Sequence, residues 1–281
     1  MKVSQIWRYP VKSMLGDPVE AATLGPSGFE GDRGWAVRDV ERQGLRSGRQ
    51  LPALTRCHAR YTGDAPGAVR ITFPDGRDVT TDDPAVNAKL STALGREVTI
   101  WSRRPSADLD HYRHGIPEST DMMVELRSIF GREGDEPIPD LAVFPSELAE
   151  FSSPPGEYYD CYPLMIMTTS ALRALQSALP ASTIDVRRFR PSVVVETDGA
   201  AGHPEFEWSG RVARIGTAEL EFLVPCPRCS MVTREFTPEI PQDRAVLRHI
   251  VRELDQNVGI YAKVRHPGVV RQGDSMEFVS A

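Results

Sequence analysis

Lysine is scarce in this sequence, occurring only at Lys2, Lys12, Lys89 and Lys263, so the remaining basic side chains, histidine apart, are arginine. Positive charge is also in deficit, with 39 acidic against 33 basic groups and a formal net charge of -6. That balance excludes a general nucleic-acid binder, which presents a basic face. No stretch approaches the roughly 18 consecutive apolar residues of a membrane-crossing helix. Met1 to Ser13 alternates charged and apolar residues and lacks the apolar run of a signal peptide. The expectation is a cytoplasmic protein with neither nucleic acid nor membrane as a partner. The four cysteines, Cys57, Cys161, Cys226 and Cys229, are not a disulfide framework in a cytosolic chain of this length. What is present is enough apolar material for a sizeable core, 40% of 281 residues, which excludes wholesale disorder. The length is that of about two domains.

The first third predicts short strands broken by turns. Val3, Gln5 and Trp7 alternate with polar neighbours up to Tyr9-Pro10, and Gly31-Asp32-Arg33-Gly34 precedes a strand at Trp35–Arg38. Val69, Ile71 and Phe73 lead into Pro74-Asp75-Gly76-Arg77, a hairpin signal with Val79 on the return. Asp83-Pro84 predicts a helix start, Gly95 its end, and Glu97–Trp101 a further strand. Residues 1–102 are expected to form a β-barrel-like N-terminal domain. Residues 103–155 carry seven prolines, from Pro105 to Pro155, and one helical patch at Ser146–Phe151, and are expected to be a connecting excursion. Residues 156–281 are expected to be a second, β-rich domain. Its strands are predicted at Leu164–Met167, Ser192–Glu196, Gly259–Val264 and Met276–Val279, with further strand material at Val212, Ile215, Leu220, Phe222 and Val224. Helices are predicted from a cap at Thr169 or Ser170 to Leu179, and over Pro241–Leu254. The fold class is α+β, rich in strand, with peripheral helices.

Cys226-Pro227-Arg228-Cys229 has several readings. It is half of a zinc site, a dithiol redox pair, one metal ligand beside a bystander, or two inert buried thiols. Only Cys57, His58 or Cys161 could complete a zinc set, and the β-prone run Ser230–Thr233 after the pair weakens the dithiol reading. Arg187-Arg188-Phe189-Arg190-Pro191 gathers three guanidiniums ahead of a buried strand, where arginine forks suit a phosphate. Neighbouring carboxylates such as Asp185 would neutralise the same cluster if it were only a solvated face. Lys12-Ser13 and Asp32-Arg33 add two further cation sites.

Taken in order, Tyr9-Pro10-Val11-Lys12-Ser13, Gly31-Asp32-Arg33, Arg188-Phe189-Arg190-Pro191, Cys226-Pro227-Arg228-Cys229 and Gly259-Ile260-Tyr261 resemble the MOSC-domain proteins. The resemblance is to the branch with an N-terminal MOSC β-barrel domain, which includes the mitochondrial amidoxime-reducing component and its bacterial relatives. It runs from residue 9 to residue 274 and covers the proline-rich middle least.

The resemblance implies a MOSC domain over 156–281 and a molybdenum cofactor, Mo-molybdopterin, with Cys229 as metal ligand and Cys226 as its neighbour. It implies cofactor contacts from Lys12, Ser13 and Arg33 in the N-terminal part. From the second part it implies contacts from Arg190, Ser192, Arg228 and Tyr261. Asp160 falls where the family has a carboxylate near the metal, suited to proton handling. Two positions depart from the family pattern, since Ser192 is commonly Asn and Pro227 commonly Ser. No cysteine-rich tail follows, so electrons are expected from a separate ferredoxin- or flavin-type donor protein. The implied activity is reduction of N-hydroxylated small molecules. The family also implies an alternative, a sulfur carrier with a persulfide on Cys229.

Overall fold

Every residue of the Leu164–Thr168 strand is buried, as an unbroken apolar run requires of a strand covered on both faces. It runs parallel to Val193–Glu196 and antiparallel to Asn257–His266. The computed structural model, which describes residues 1–197 and 199–279, places these strands at the heart of an eight-stranded sheet. In spatial order the strands are Met276–Phe278, Val212–Ile215, Ala218–Pro227, Asn257–His266, Leu164–Thr168, Val193–Glu196, Lys2–Arg8 and Asp17–Val19. Thus the first strands of the chain complete a sheet whose other members all lie beyond residue 163. Ala21–Gly25 pairs in the same way with Gly268–Arg271. Val3, Ile6, Leu24, Ile166, Val193, Phe222 and Ile260 share the resulting core. Phe222 is fully buried there, so its truncation to alanine should cost about 3–5 kcal/mol.

Two three-stranded sheets occupy the rest of the N-terminal region. Trp35–Asp39 pairs with Gly44–Leu45 and Val98–Ser102, and His58–Tyr61 pairs with Val69–Thr72, which pairs with Asp78–Thr80. They share one core with the Val86–Leu94 helix, through Val37, Ile71, Leu90, Leu94 and Val98. The molecule is β-rich α+β, as its sequence predicts.

Helix starts shift by a residue or more. Thr168, not Thr169 or Ser170, caps Thr169–Ala178 by accepting from the Ala171 N–H. Asp83 still accepts from the Ala85 N–H, but the helix begins at Val86. Asp243 caps Arg244–Glu253, so the helix starts after Pro241. The excursion holds more structure than its prolines suggest. Met122–Phe130 is a helix capped by Asp121 and closed by Gly131 in the left-handed conformation. Met122, Met123 and Val124 are exposed, so no buried stripe announces that helix in the sequence. The patch at Ser146–Phe151 is a single 3-10 turn, Ser146–Ala149. Ser230–Thr233 is likewise a 3-10 turn and not extended. The Thr233 hydroxyl donates to the Ser230 carbonyl at 2.8 Å, and that local bond overrides β propensity.

Candidate functional site

The Ala218–Pro227 strand loses regular register between Phe222 and Pro225 and again before Pro227. Proline has no N–H to give a ladder, and the chain leaves the sheet after Pro227, at Arg228–Cys229. Of the four cysteines three are buried, and Cys229 alone is half-buried. Cys226 is engaged by its neighbours: Arg228 Nη1 donates to its sulfur at 3.0 Å, and the Tyr261 side chain is hydrogen bonded to it. Tyr261 also packs on Tyr162, with ring centroids 5.2 Å apart. Burial raises the Tyr261 hydroxyl well above its ordinary range, so it serves as a donor. Arg228 Nη2 donates to the Phe189 carbonyl at 2.7 Å, which ties the cysteine loop to the residue before Arg190.

Arg190 adopts φ +57° and lays its guanidinium on the Tyr9 ring, 4.2 Å from the centroid. Its Nη1 donates to the Met14 carbonyl. Its Nη2 is buried and has no partner among the described residues, nor has the Tyr9 hydroxyl. Burial, with Arg33 beside it, pushes Arg190 down to about 10. Arg33, at φ +48°, sits 5.3 Å from the same ring and pairs with Asp32, while Asp32 also accepts from the Tyr9 N–H at 2.7 Å. Ser13 is buried and lies at φ +68°. Three sequence-derived site residues therefore occupy a region that costs L-residues energy. Such strain persists where the surroundings hold it for a purpose.

Lys12, 4% exposed, donates to Asp160 Oδ1 at 2.6 Å, to the Tyr158 carbonyl at 2.8 Å and to the Ser153 hydroxyl at 3.1 Å. Burial pushes its ammonium down to about 8 against the pull of Asp160. Asp160 also accepts from Arg49 Nη2 at 3.0 Å. The Asp160 side chain is 42% exposed; partial desolvation works against its charge, yet Arg49 and Lys12 hold the carboxyl far below the usual range. Arg49, absent from the sequence-derived set, lies within electrostatic reach of both Asp160 and Cys229. No spacing in the sequence marks it, because Asp160, the carboxylate it pairs with, is 111 residues away. Ser192 stands apart, since it is fully buried and its hydroxyl accepts from the Met165 N–H at 3.3 Å within the sheet.

Lys12, Arg33, Arg49 and Arg190 face Asp32 and Asp160, four cations against two carboxylates. A surplus of positive charge with an unfilled guanidinium donor is what an anionic, phosphate-bearing ligand requires. Among the described residues no group of three or more His, Cys, Asp or Glu gathers to hold a metal, which leaves the zinc reading of Cys226 and Cys229 without its remaining ligands. No helix among those residues is long and apolar enough to cross a membrane.

The MOSC domain family matches residues 154–277, and the MOSC N-terminal beta barrel domain family matches residues 1–109. Mitochondrial amidoxime reducing component 2 of Bos taurus is 27% identical over 256 residues, covering 82% of this chain and 66% of that protein. Mitochondrial amidoxime-reducing component 1 of Homo sapiens is 23% identical over 301 residues, covering 97% of this chain and 81% of that protein. Among solved structures, the YUAD protein from Bacillus subtilis aligns over 100% of this chain and 96% of its own, at 11% identity and a TM-score of 0.44. The chain is a MOSC-domain protein with an N-terminal MOSC β-barrel domain, similar to the amidoxime-reducing components.

Proposed function

We propose that the protein binds a molybdenum cofactor, Mo-molybdopterin, with Cys229 as the metal ligand. In this reading it reduces N-oxygenated small molecules in the cytoplasm with electrons from a separate donor protein. The observation that carries it is the pairing of one half-buried cysteine with a cation-rich cradle whose Arg190 Nη2 and Tyr9 hydroxyl are buried and unfilled. The relatives' names point to the same chemistry. Bound there, the cofactor would supply two-electron redox chemistry that no side chain performs.

The chain's own residues divide the remaining work. Arg190, Arg33 and Arg49 offer guanidinium donors to the anionic tail, and Ser13 turns the backbone toward them. Arg228 and Tyr261 occupy Cys226, so the sulfur left for a metal is that of Cys229. Ser192 supports the strand that carries Met165. Asp160, held ionised by two cations, acts through its charge and keeps the Lys12 ammonium in place. The proton available at neutral pH is on Lys12 Nζ, whose pKa of about 8 lies close to the operating range of a general acid.

Elemental analysis of protein from a molybdate-fed host tests the reading, with near-stoichiometric molybdenum and benzamidoxime reduction by an artificial donor expected. Transferable sulfane sulfur on Cys229 without turnover would assign the carrier role instead. Zinc in place of molybdenum would overturn both.

A further inference from the structure

Cys229 caps the Ser230–Thr233 turn without a side-chain hydrogen bond. Its sulfur is therefore placed by whatever fixes the backbone on either side. On the far side the Ser230 hydroxyl donates to the Ile129 carbonyl at 2.9 Å. On the near side both halves of Arg228's backbone are held. The Arg228 N–H donates to the Gln256 carbonyl at 2.8 Å, and the Arg228 carbonyl accepts from Arg132 Nη2 at 3.1 Å. Arg132 and Gln256 are joined in turn, since Nη2 and Nε of Arg132 donate to Gln256 Oε1 at 2.8 and 3.2 Å.

The geometry points to Arg132 and Gln256 as a clasp that positions Cys229, built from two residues outside the set assigned above. The inference deepens the metal-ligand reading of Cys229 and takes its purpose from it. Two features separate the clasp from ordinary loop packing. First, Arg132 is 6% exposed, and all five of its hydrogen bonds go to neutral oxygens, those of Phe130, Pro137, Arg228 and Gln256. A buried guanidinium without a directly bonded counter-ion is unfavourable; Cys229 and Glu136 lie within its electrostatic reach, and Arg248 and Arg127 oppose them. Second, Asp255 and Gln256 adopt φ +45° and +70° in succession, a strained pair that the clasp bonds hold where the Gln256 carbonyl meets Arg228. Through Arg132 the excursion reaches the cysteine loop from outside the sheet.

Two charge-conserving variants isolate the clasp. Gln256→Asn tolerates the left-handed backbone but is too short to keep the Arg132 bonds. Arg132→Lys keeps the positive charge and loses the fork. Arg127→Lys is the control, because Arg127 bonds the Gly134 and Glu136 carbonyls in the same excursion and does not touch the cysteine loop. In cofactor-free protein, iodoacetamide labelling of Cys229, followed by peptide mass spectrometry, should accelerate at least about threefold in both clasp variants, as the loop opens locally. It should stay at the wild-type rate in the control. In molybdenum-loaded protein the same two variants should lower kcat by about tenfold with KM held, because the ligand is misplaced and not lost. Labelling that stays at the wild-type rate in both variants, or that rises equally in Arg127→Lys, overturns the clasp. A wild-type protein that takes up no molybdenum overturns the metal role of Cys229, while the labelling result still decides the clasp.

Discussion

Arg188 and Arg190 stand two residues apart in one motif and meet opposite fates. Arg188 is fully buried and spends its donors on four carbonyls, those of Thr183, Val232, Arg234 and Pro241, at 2.7 to 3.3 Å. Arg190 is buried too, at 8% exposure, yet its Nη2 has no partner among the described residues and its backbone is left-handed. The first guanidinium staples segments of the chain together. The second keeps a donor in reserve, and a buried donor in reserve is what a ligand later fills. Cys226 and Cys229 repeat the contrast, one sulfur engaged by Arg228 and Tyr261 and the other half-buried. Burial alone does not separate architecture from chemistry; unfilled bonding capacity does.

The largest effect expected from breaking this contrast is at the cysteines. Cys229→Ala should abolish molybdenum retention and turnover, whereas Cys226→Ala should retain most of both, read by metal content per chain. Next, Arg188→Ala should destabilise the fold by roughly 3–5 kcal/mol, because it strands several buried carbonyls at once. Urea denaturation measures it, and a loss below about 1 kcal/mol would deny the staple role. Arg190→Ala should change folding stability much less but weaken cofactor retention by about 1.5–3 kcal/mol, the worth of one charge-assisted bond. Equal destabilisation by the two arginine variants would erase the distinction between them.

The smallest effect is a pH dependence at Lys12. With a folded pKa of about 8, the ammonium is present below that pH and lost above it. A rate that uses its proton should fall about tenfold per unit beyond pH 8, and Lys12→Arg should remove that limb from the pH–rate profile. Stability carries the opposite sign. The unfolded lysine, near 10.5, binds its proton more tightly than the folded one between about 8 and 10.5, so this group makes stability rise with pH across that window.

Local chemistry was readable where a residue's neighbours in sequence are its neighbours in space. The strand at Leu164, the hairpin at Pro74–Arg77 and the turn at Gly95 belong to that class. The clustering of Lys12, Arg33 and Arg190 is marked in the sequence only by an ordered set of short motifs, none of which carries it alone. Arg49 and Arg132 are not legible, because the partners that bring them to the site, Asp160, Gln256 and the Arg228 carbonyl, lie far along the chain. A carbonyl acceptor is present in every residue and leaves no mark in a sequence. The Met122–Phe130 helix is hard to read for the complementary reason that its first apolar residues, Met122, Met123 and Val124, face solvent and form no buried stripe.

The pairing of Ala21–Gly25 with Gly268–Arg271, and of Val3 with Asp274, has a consequence for synthesis. During translation Ala21–Gly25 leaves the ribosome well before Gly268–Arg271 and must wait for it before their ladder closes. Loop closure on that scale is slow, and an open strand edge in the meantime invites pairing with other chains. Destabilising changes in Lys2–Arg8 should therefore lower the yield of folded protein by more than their equilibrium effect alone.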